Sequence, residues 1–273
     1  MIRAFSPGSV TLFFEIVDEH RDPLKIGSRG VGVCVSLGAI TSVQEGQELK
    51  VYVNGKNMEE SIQKSIANAY NFKGTINTEL QLPVSQGFGM SAAAALSTSL
   101  AIAKLKNSTY LKAAQLAHMV EVEWQSGLGD VATQYEGGFT LRVKEGIPPY
   151  GIVDRLFFPQ IPITLVIFKE GVDTRDILKD EDMRRRIKKE GHKSMERFLK
   201  APSLENAIKI AREFSLRTSL IGEEGKKFLD ECPNAAIAMI GNSAIVFGEC
   251  KDEIIERYET YRVGLGDRAK LLT

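Results

Sequence analysis

The chain has 273 residues, 43% hydrophobic and 26% charged, which is the make-up of a globular protein with room for two domains. Its 35 Lys and Arg balance its 35 Asp and Glu, so no net field recruits nucleic acid or an anionic membrane surface. Cys34, Cys232 and Cys250 stand far apart with no CxxC or Cys/His spacing, which argues against a disulfide framework and against a zinc site. The first residues lack an apolar signal-peptide core and no apolar run reaches the length of a membrane span, so a cytoplasmic location is expected.

Ile2 to Phe5 and Val10 to Phe14 predict short strands around a Ser6-Pro7-Gly8-Ser9 turn. Asp18 to Lys25 is polar and reads as a surface loop. Gly27-Ser28-Arg29-Gly30 leads into a β-branched strand, Val31 to Val35. Arg29, between glycines, is either a solvated loop residue or a clamp for a carboxylate or phosphate. Ile40–Val43 and Leu49–Val53 predict a strand pair ending at the hairpin signal Asn54-Gly55. Glu59–Tyr70 has helical spacing, and Thr75–Leu82 alternates as a half-buried strand should.

That strand delivers the chain into Leu82-Pro83-Val84-Ser85-Gln86-Gly87-Phe88-Gly89-Met90-Ser91-Ala92-Ala93, followed by more small residues. Glycine admits positive φ and close backbone approach, and a helix starting near Ser91 presents unpaired N–H groups with its positive dipole end. The stretch fits a phosphate cradle, or a Gly-containing loop before a core helix. The helix is expected to run to Leu105, with a second helix over Tyr110–Gln125 capped by Thr109. His118, Glu121 and Gln125 share one face of it, either simply solvated or with the Glu turned to the loop to hold a metal ion.

After Ser126-Gly127-Leu128-Gly129, Asp130 opens a short helix as its N-cap, or as a carboxylate projected from a rigid helix start and kept ionised by the dipole. Phe139–Val143 predicts a strand in which Arg142 faces solvent or reaches into a site. Prolines 148, 149, 159 and 162 suggest a domain boundary within residues 146–162. Beyond it come a buried strand, Ile163–Phe168, helices over Asp176–Lys200, Leu204–Gly222 and Glu223–Glu231, strands Ala235–Ile240 and Ala244–Phe247 joined by Gly241-Asn242-Ser243, and a helix through Glu253–Tyr261. This order predicts an α+β layer with helices on one face of an antiparallel sheet. Arg184 to Lys189 is basic but flanked by Glu181, Asp182 and Glu190, as a solvated helix face is.

Ser6 to Leu12, Pro83 to Ala93 and Gly241 to Ser243, in this order, resemble the three motifs of the GHMP small-molecule kinases. Within that superfamily Gly27-Ser28-Arg29-Gly30, Ser85 to Ser91, Gly127 to Asp130, and Pro148 to Gly151 with Val153-Asp154-Arg155 are similar to the archaeal pantoate kinases. The resemblance implies the GHMP kinase fold, an N-terminal α/β domain over residues 1–155 and a ferredoxin-like C-terminal domain over residues 156–273, with the active site between them. It implies ATP-dependent phosphorylation of the 4-hydroxyl of pantoate in coenzyme A synthesis, with mevalonate or homoserine as other acceptors of the superfamily and a non-catalytic binding module as a rival.

Carried over to this chain, Pro83, Gly87, Phe88, Gly89, Met90, Ser91, Ala92 and Ala93 hold the ATP phosphates, Ser91 and Glu121 hold Mg²⁺, and Asp130 is catalytic. The acceptor's carboxylate calls for Ser28, His118, Arg142 and Thr174, with Arg29 and Arg155 in reserve. A homodimer is also implied. Two departures stand out: many GHMP kinases carry Lys where this chain has Ser9, and paired serines where Ser91 is followed by Ala92.

Overall fold

A computed structural model describes residues 1–169 and 180–272. Two long strands organise the chain, β1 (Ile2–Val17) and β2 (Gly27–Glu45), paired antiparallel along almost their whole length. From Ser6 to Phe14 every residue of β1 is buried, and so is every residue of β2 from Gly30 to Val35. Strands covered on both faces lose the in–out alternation that marks a half-buried strand.

The expected turn at Ser6–Ser9 does not form. The chain runs straight through with a register shift between Pro7 and Gly8, where a residue lacking N–H fits a bulge, and Gly38 lies opposite because a side chain there would collide with Ser6 O. Gly27–Gly30 is likewise strand rather than loop.

β3 (Lys50–Val53) and β4 (Lys56–Asn57) form the expected hairpin, with Asn54 and Gly55 both at positive φ. However, β3 does not pair with β2. After α1 (Ile62–Ala69), β5 (Gly74–Leu80) inserts between them, antiparallel to β2 and parallel to β3. A helix between β4 and β5 supplies the crossover that a parallel pair requires.

α2 (Met90–Leu105) lies on β1 and β2, and its small residues admit close approach: Ala92 to Ala95 are all buried. α3 (Tyr110–Glu123) packs behind it, capped by Thr109 as expected. α4 (Asp130–Glu136), β6 (Phe139–Lys144) and β7 (Ile152–Leu156) follow, with β6 pairing both β2 and β7. β7 falls inside the stretch read as a proline-punctuated boundary.

The second sheet has the order β11-β8-β10-β9, built from β8 (Ile163–Ile167), β9 (Ala235–Ile237), β10 (Ser243–Phe247) and β11 (Glu259–Val263), all antiparallel. With α5 (Glu181–Lys200), α6 (Leu204–Thr218) and α7 (Glu223–Glu231) before β9, and α8 (Asp252–Arg257) before β11, this is the ferredoxin-like β-α-β-β-α-β order. The predicted last helix is shorter, because residues 259–263 form edge strand β11. The start predicted for α5, Asp176, lies outside the described residues. The chain then returns to the first sheet, where β12 (Lys270–Leu272) pairs β1.

α5 also packs against β1. Phe198 meets Phe13 edge-on at 5.6 Å between ring centroids, and Phe214 of α6 meets Phe14 at 5.7 Å. Gly191 permits this approach, since a methyl group there would collide with Phe14 O. Gly191→Ala is therefore expected to destabilise the fold by about 2 kcal/mol through overpacking, read as a lower urea midpoint with unchanged slope.

Candidate active site

The three motifs converge on the loop before α2. Ser9 of β1 donates its backbone N–H to Phe88 O at 2.9 Å. From the second sheet, the Ser243 hydroxyl donates to Gln86 O, and Gly241 lies so close that a side chain would strike the Gln86–Gly87 peptide. Ser85, Gly87 and Gly89 all adopt positive φ, and Gly89 caps α2 at φ 61°. α2 thus opens at Met90, with Ser91 in its first turn and its free N–H groups at the loop.

Behind the loop lie two carboxylates. Glu121 of α3 is fully buried; its Oε2 accepts a long 3.5 Å bond from Val131 N, while its Oε1 has no hydrogen-bond partner. Asp130 is the first residue of α4, and its Oδ1 accepts the Ser9 hydroxyl at 3.0 Å. Gly127 faces both: a methyl group there would collide with Glu121 Oε1 and come within 3.2 Å of Asp130 Oδ2.

Two expectations about Asp130 are corrected here. Gly129, not Asp130, is the N-cap of α4. Nor does the dipole hold the carboxyl low: burial first, then the Glu121 charge, push it up to about 7, against the opposing pull of Arg142 and the Ser9 bond. A seven-residue helix cannot outweigh desolvation plus a like charge.

The arrangement fits a hard divalent cation. Two carboxylates share one gap, and one oxygen lacks any donor. Mg²⁺ is commonly bound through one or two carboxylates and otherwise by phosphate and water. Among the described residues no group of three His, Cys, Asp or Glu forms a fuller cage.

Arg142 of β6 is 2% exposed. Its Nη1 donates to Thr133 Oγ1 at 2.6 Å and its Nε to Ser28 O at 3.3 Å. Gly30, Gly32 and Gly129 surround the guanidinium, each within 3.2 Å of it at the place a side chain would start. Burial lowers its pKa, and Asp130 and Glu121 raise it. Ser28 shares this pocket, its hydroxyl donating to Leu128 O at 3.3 Å.

The other candidates are placed differently. His118 is fully buried beneath the site, with Nε2 on Ile26 O at 2.9 Å and Nδ1 3.7 Å from Glu121 Oε2. A carbonyl partner fixes the proton on Nε2. Arg29 points from the opposite face of β2, where it bonds Glu15 and Val143 O. Arg155 bonds Glu136 at the far end of α4. Thr174 lies outside the described residues. Gln125, grouped with His118 and Glu121 by spacing, is exposed because α3 ends at Glu123. Sequence reasoning missed Gln134 and Thr133; Gln134 stands four residues after Asp130 and so on the same helical face.

The profile of the GHMP kinases N terminal domain matches residues 56–138. The chain is 37% identical to a pantoate kinase of Thermococcus kodakarensis, over 94% of this chain and 90% of that one. It is 31% identical to a pantoate kinase of Methanocaldococcus jannaschii, over 92% and 94%. A solved structure described as a phosphotransferase related to the CoA biosynthesis pathway superposes with a TM-score of 0.87 at 32% identity, over 99% and 98% of the two chains.

The gap facing Glu121 and Asp130 depends on the absence of a side chain at Gly127. Gly127→Ala is expected to weaken Mn²⁺ binding about tenfold by calorimetry, as a lost or displaced carboxylate ligand would. Unchanged affinity would place the cation elsewhere.

Proposed function

The chain belongs to the archaeal pantoate kinases of the GHMP superfamily, and from that premise we propose that it transfers the γ-phosphoryl group of ATP to the 4-hydroxyl of pantoate, giving 4-phosphopantoate and ADP on the way to coenzyme A. The observation that carries this reading is the gap between Glu121 and Asp130. It opens between a loop suited to phosphate and a buried arginine suited to a carboxylate.

On the donor side, Gly87 to Ala92 receive the ATP phosphates through backbone N–H groups at the start of α2, where the Ala93 N–H closes the first helical turn on Gly89 O, and Pro83, which has no N–H, borders the site at the head of the loop. Ser91 and Glu121 hold Mg²⁺, which when bound neutralises charge on the phosphate oxygens. On the acceptor side, Arg142 uses two of its five N–H groups in hydrogen bonds among the described residues, leaving donors for the pantoate carboxylate beside the Ser28 hydroxyl. Arg29 and Arg155 are engaged by Glu15 and Glu136, which favours Arg142 for this role.

Asp130 takes the proton of the 4-hydroxyl as its oxygen bonds to phosphorus and the bond to ADP breaks. With no cation on Glu121, burial and the Glu121 charge push this carboxyl up to about 7, and a cation held by Glu121 would offset the second of these causes. The domain division belongs to this proposal: residues 1–155 carry the donor loop, both carboxylates and Arg142, and residues 156–273 bring Gly241 and Ser243 against the loop.

An ATP-coupled assay across pantoate, mevalonate, homoserine and galactose tests the reading. Turnover is expected with pantoate; turnover with another acceptor alone would sink it, and none with any would favour a binding module. Asp130→Asn should lower kcat by at least about 100-fold while nucleotide still binds by calorimetry. Arg142→Lys keeps the charge but loses the planar fork, so KM for pantoate should rise about tenfold or more with KM for ATP held. A rise confined to ATP would move the carboxylate site.

A further inference from the structure

Gln134 lies in the second turn of α4, fully buried, with both N–H groups of its amide and its oxygen hydrogen-bonded. Its Nε2 donates to Gly89 O at 2.8 Å and to Ser9 Oγ at 3.0 Å, and its Oε1 accepts the Ser6 hydroxyl at 3.2 Å. Gly89 O can only accept. It therefore fixes which end of the amide is nitrogen, with no choice left to the Ser9 side. Ser9 Oγ accepts from that nitrogen, so its single proton is free to point at Asp130 Oδ1, 3.0 Å away.

The chain of direction runs from a backbone carbonyl of the donor loop, through an amide and a hydroxyl, to one oxygen of the carboxylate. Gly89 closes the contact physically. A methyl group on it would collide with Ser9 Oγ, and would come within 2.9 Å of Gln134 Nε2 and 3.3 Å of Asp130 Cγ. Ser6, Ser9 and Gln134 are all without exposure, so no water competes for these bonds.

We propose that Gln134 is a positioning residue for the phosphoryl transfer: through Ser9 it occupies Oδ1 of Asp130 with a neutral donor, which leaves Oδ2 toward the Gly127 gap, and through Gly89 O it ties that carboxylate to the phosphate loop. One amide thereby sets the register between the group that receives the acceptor's proton and the backbone that receives the donor's phosphates. The inference rests on the kinase reading above. It adds that the two half-sites are held together by Gln134 and not by the metal alone.

The branch through Ser9 and the branch through Gly89 give separate kinetic signatures. Ser9→Ala breaks only the first, so kcat should fall about 10- to 100-fold with both KM values within about threefold of wild type, the scale of a misplaced reacting group. Gln134→Glu keeps the shape but replaces the donating nitrogen with a second acceptor oxygen, so kcat should fall by a similar factor and KM for ATP should also rise. Because Gln134 acts on kcat through Ser9, the double variant should be no more than about threefold slower than the slower single variant.

A merely structural role would give losses in kcat that multiply, and that result would overturn the inference. Ser9→Ala with wild-type kcat would overturn it as well, whatever the Gln134 variants do. If Gln134→Glu melts below the assay temperature, Gln134→Met, neutral and of similar volume, replaces it in the same cycle. Wild-type turnover of pantoate is measured first: its absence defeats the kinase reading and this inference together, whereas turnover with multiplying losses defeats this inference alone.

Discussion

Keeping two carboxylates side by side in one gap is the constraint on which the rest of the site depends. Burial and the Glu121 charge both disfavour the ionised form of Asp130. Arg142 lies within electrostatic reach of the two, and it too is buried. Like charges without full compensation settle by raising a pKa, and Asp130 rises to about 7. The unpartnered Glu121 Oε1 is the other sign of the same imbalance. A buried carboxylate oxygen without a donor is costly, so a cation in the gap would relieve both imbalances.

The scaffold meets this constraint with glycines and neutral donors. Gly30, Gly32 and Gly129 leave room for a guanidinium among strands that would otherwise close on it, and Gly127 leaves room between the carboxylates. Ser9, at a position where many GHMP kinases carry Lys, supplies Asp130 with a hydrogen bond and no charge. A lysine there would pull the carboxyl down with a full charge; the Ser9 bond lowers it too, but adds no charge.

Local signals were legible in the sequence, and long-range ones were not. Thr109 as a cap, Asn54-Gly55 as a hairpin and the Gly loop before a small-residue helix all act through neighbours in the chain, and all three formed as read. The continuity of β1 through Ser6-Pro7-Gly8-Ser9 was hidden because β2, far along the chain, supplies the pairing that overrides a turn signal. β5 between β2 and β3 was hidden for the same reason. Strand β11 reads as helix continuation until its partner β8 is known. Asp130 was read from its helix start alone, and its pKa follows from Glu121, which arrives from another helix.

Alternation along β2 explains why the arginines divide as they do. Ser28, Gly30 and Gly32 share the face on which Arg142 lies, while Arg29 falls on the other with Glu15, under α5. His192 of α5 bonds the second oxygen of Glu15 at 3.0 Å, so Arg29 belongs to the contact that fastens α5 to β1. Two adjacent residues of one strand therefore serve different layers. A sequence reading that treats Gly27 to Gly30 as a loop has no face to assign and must keep both arginines as candidates. Once the stretch is a strand, parity alone separates them, and the carboxylate role proposed for Arg142 follows from which side of the sheet the two acids occupy.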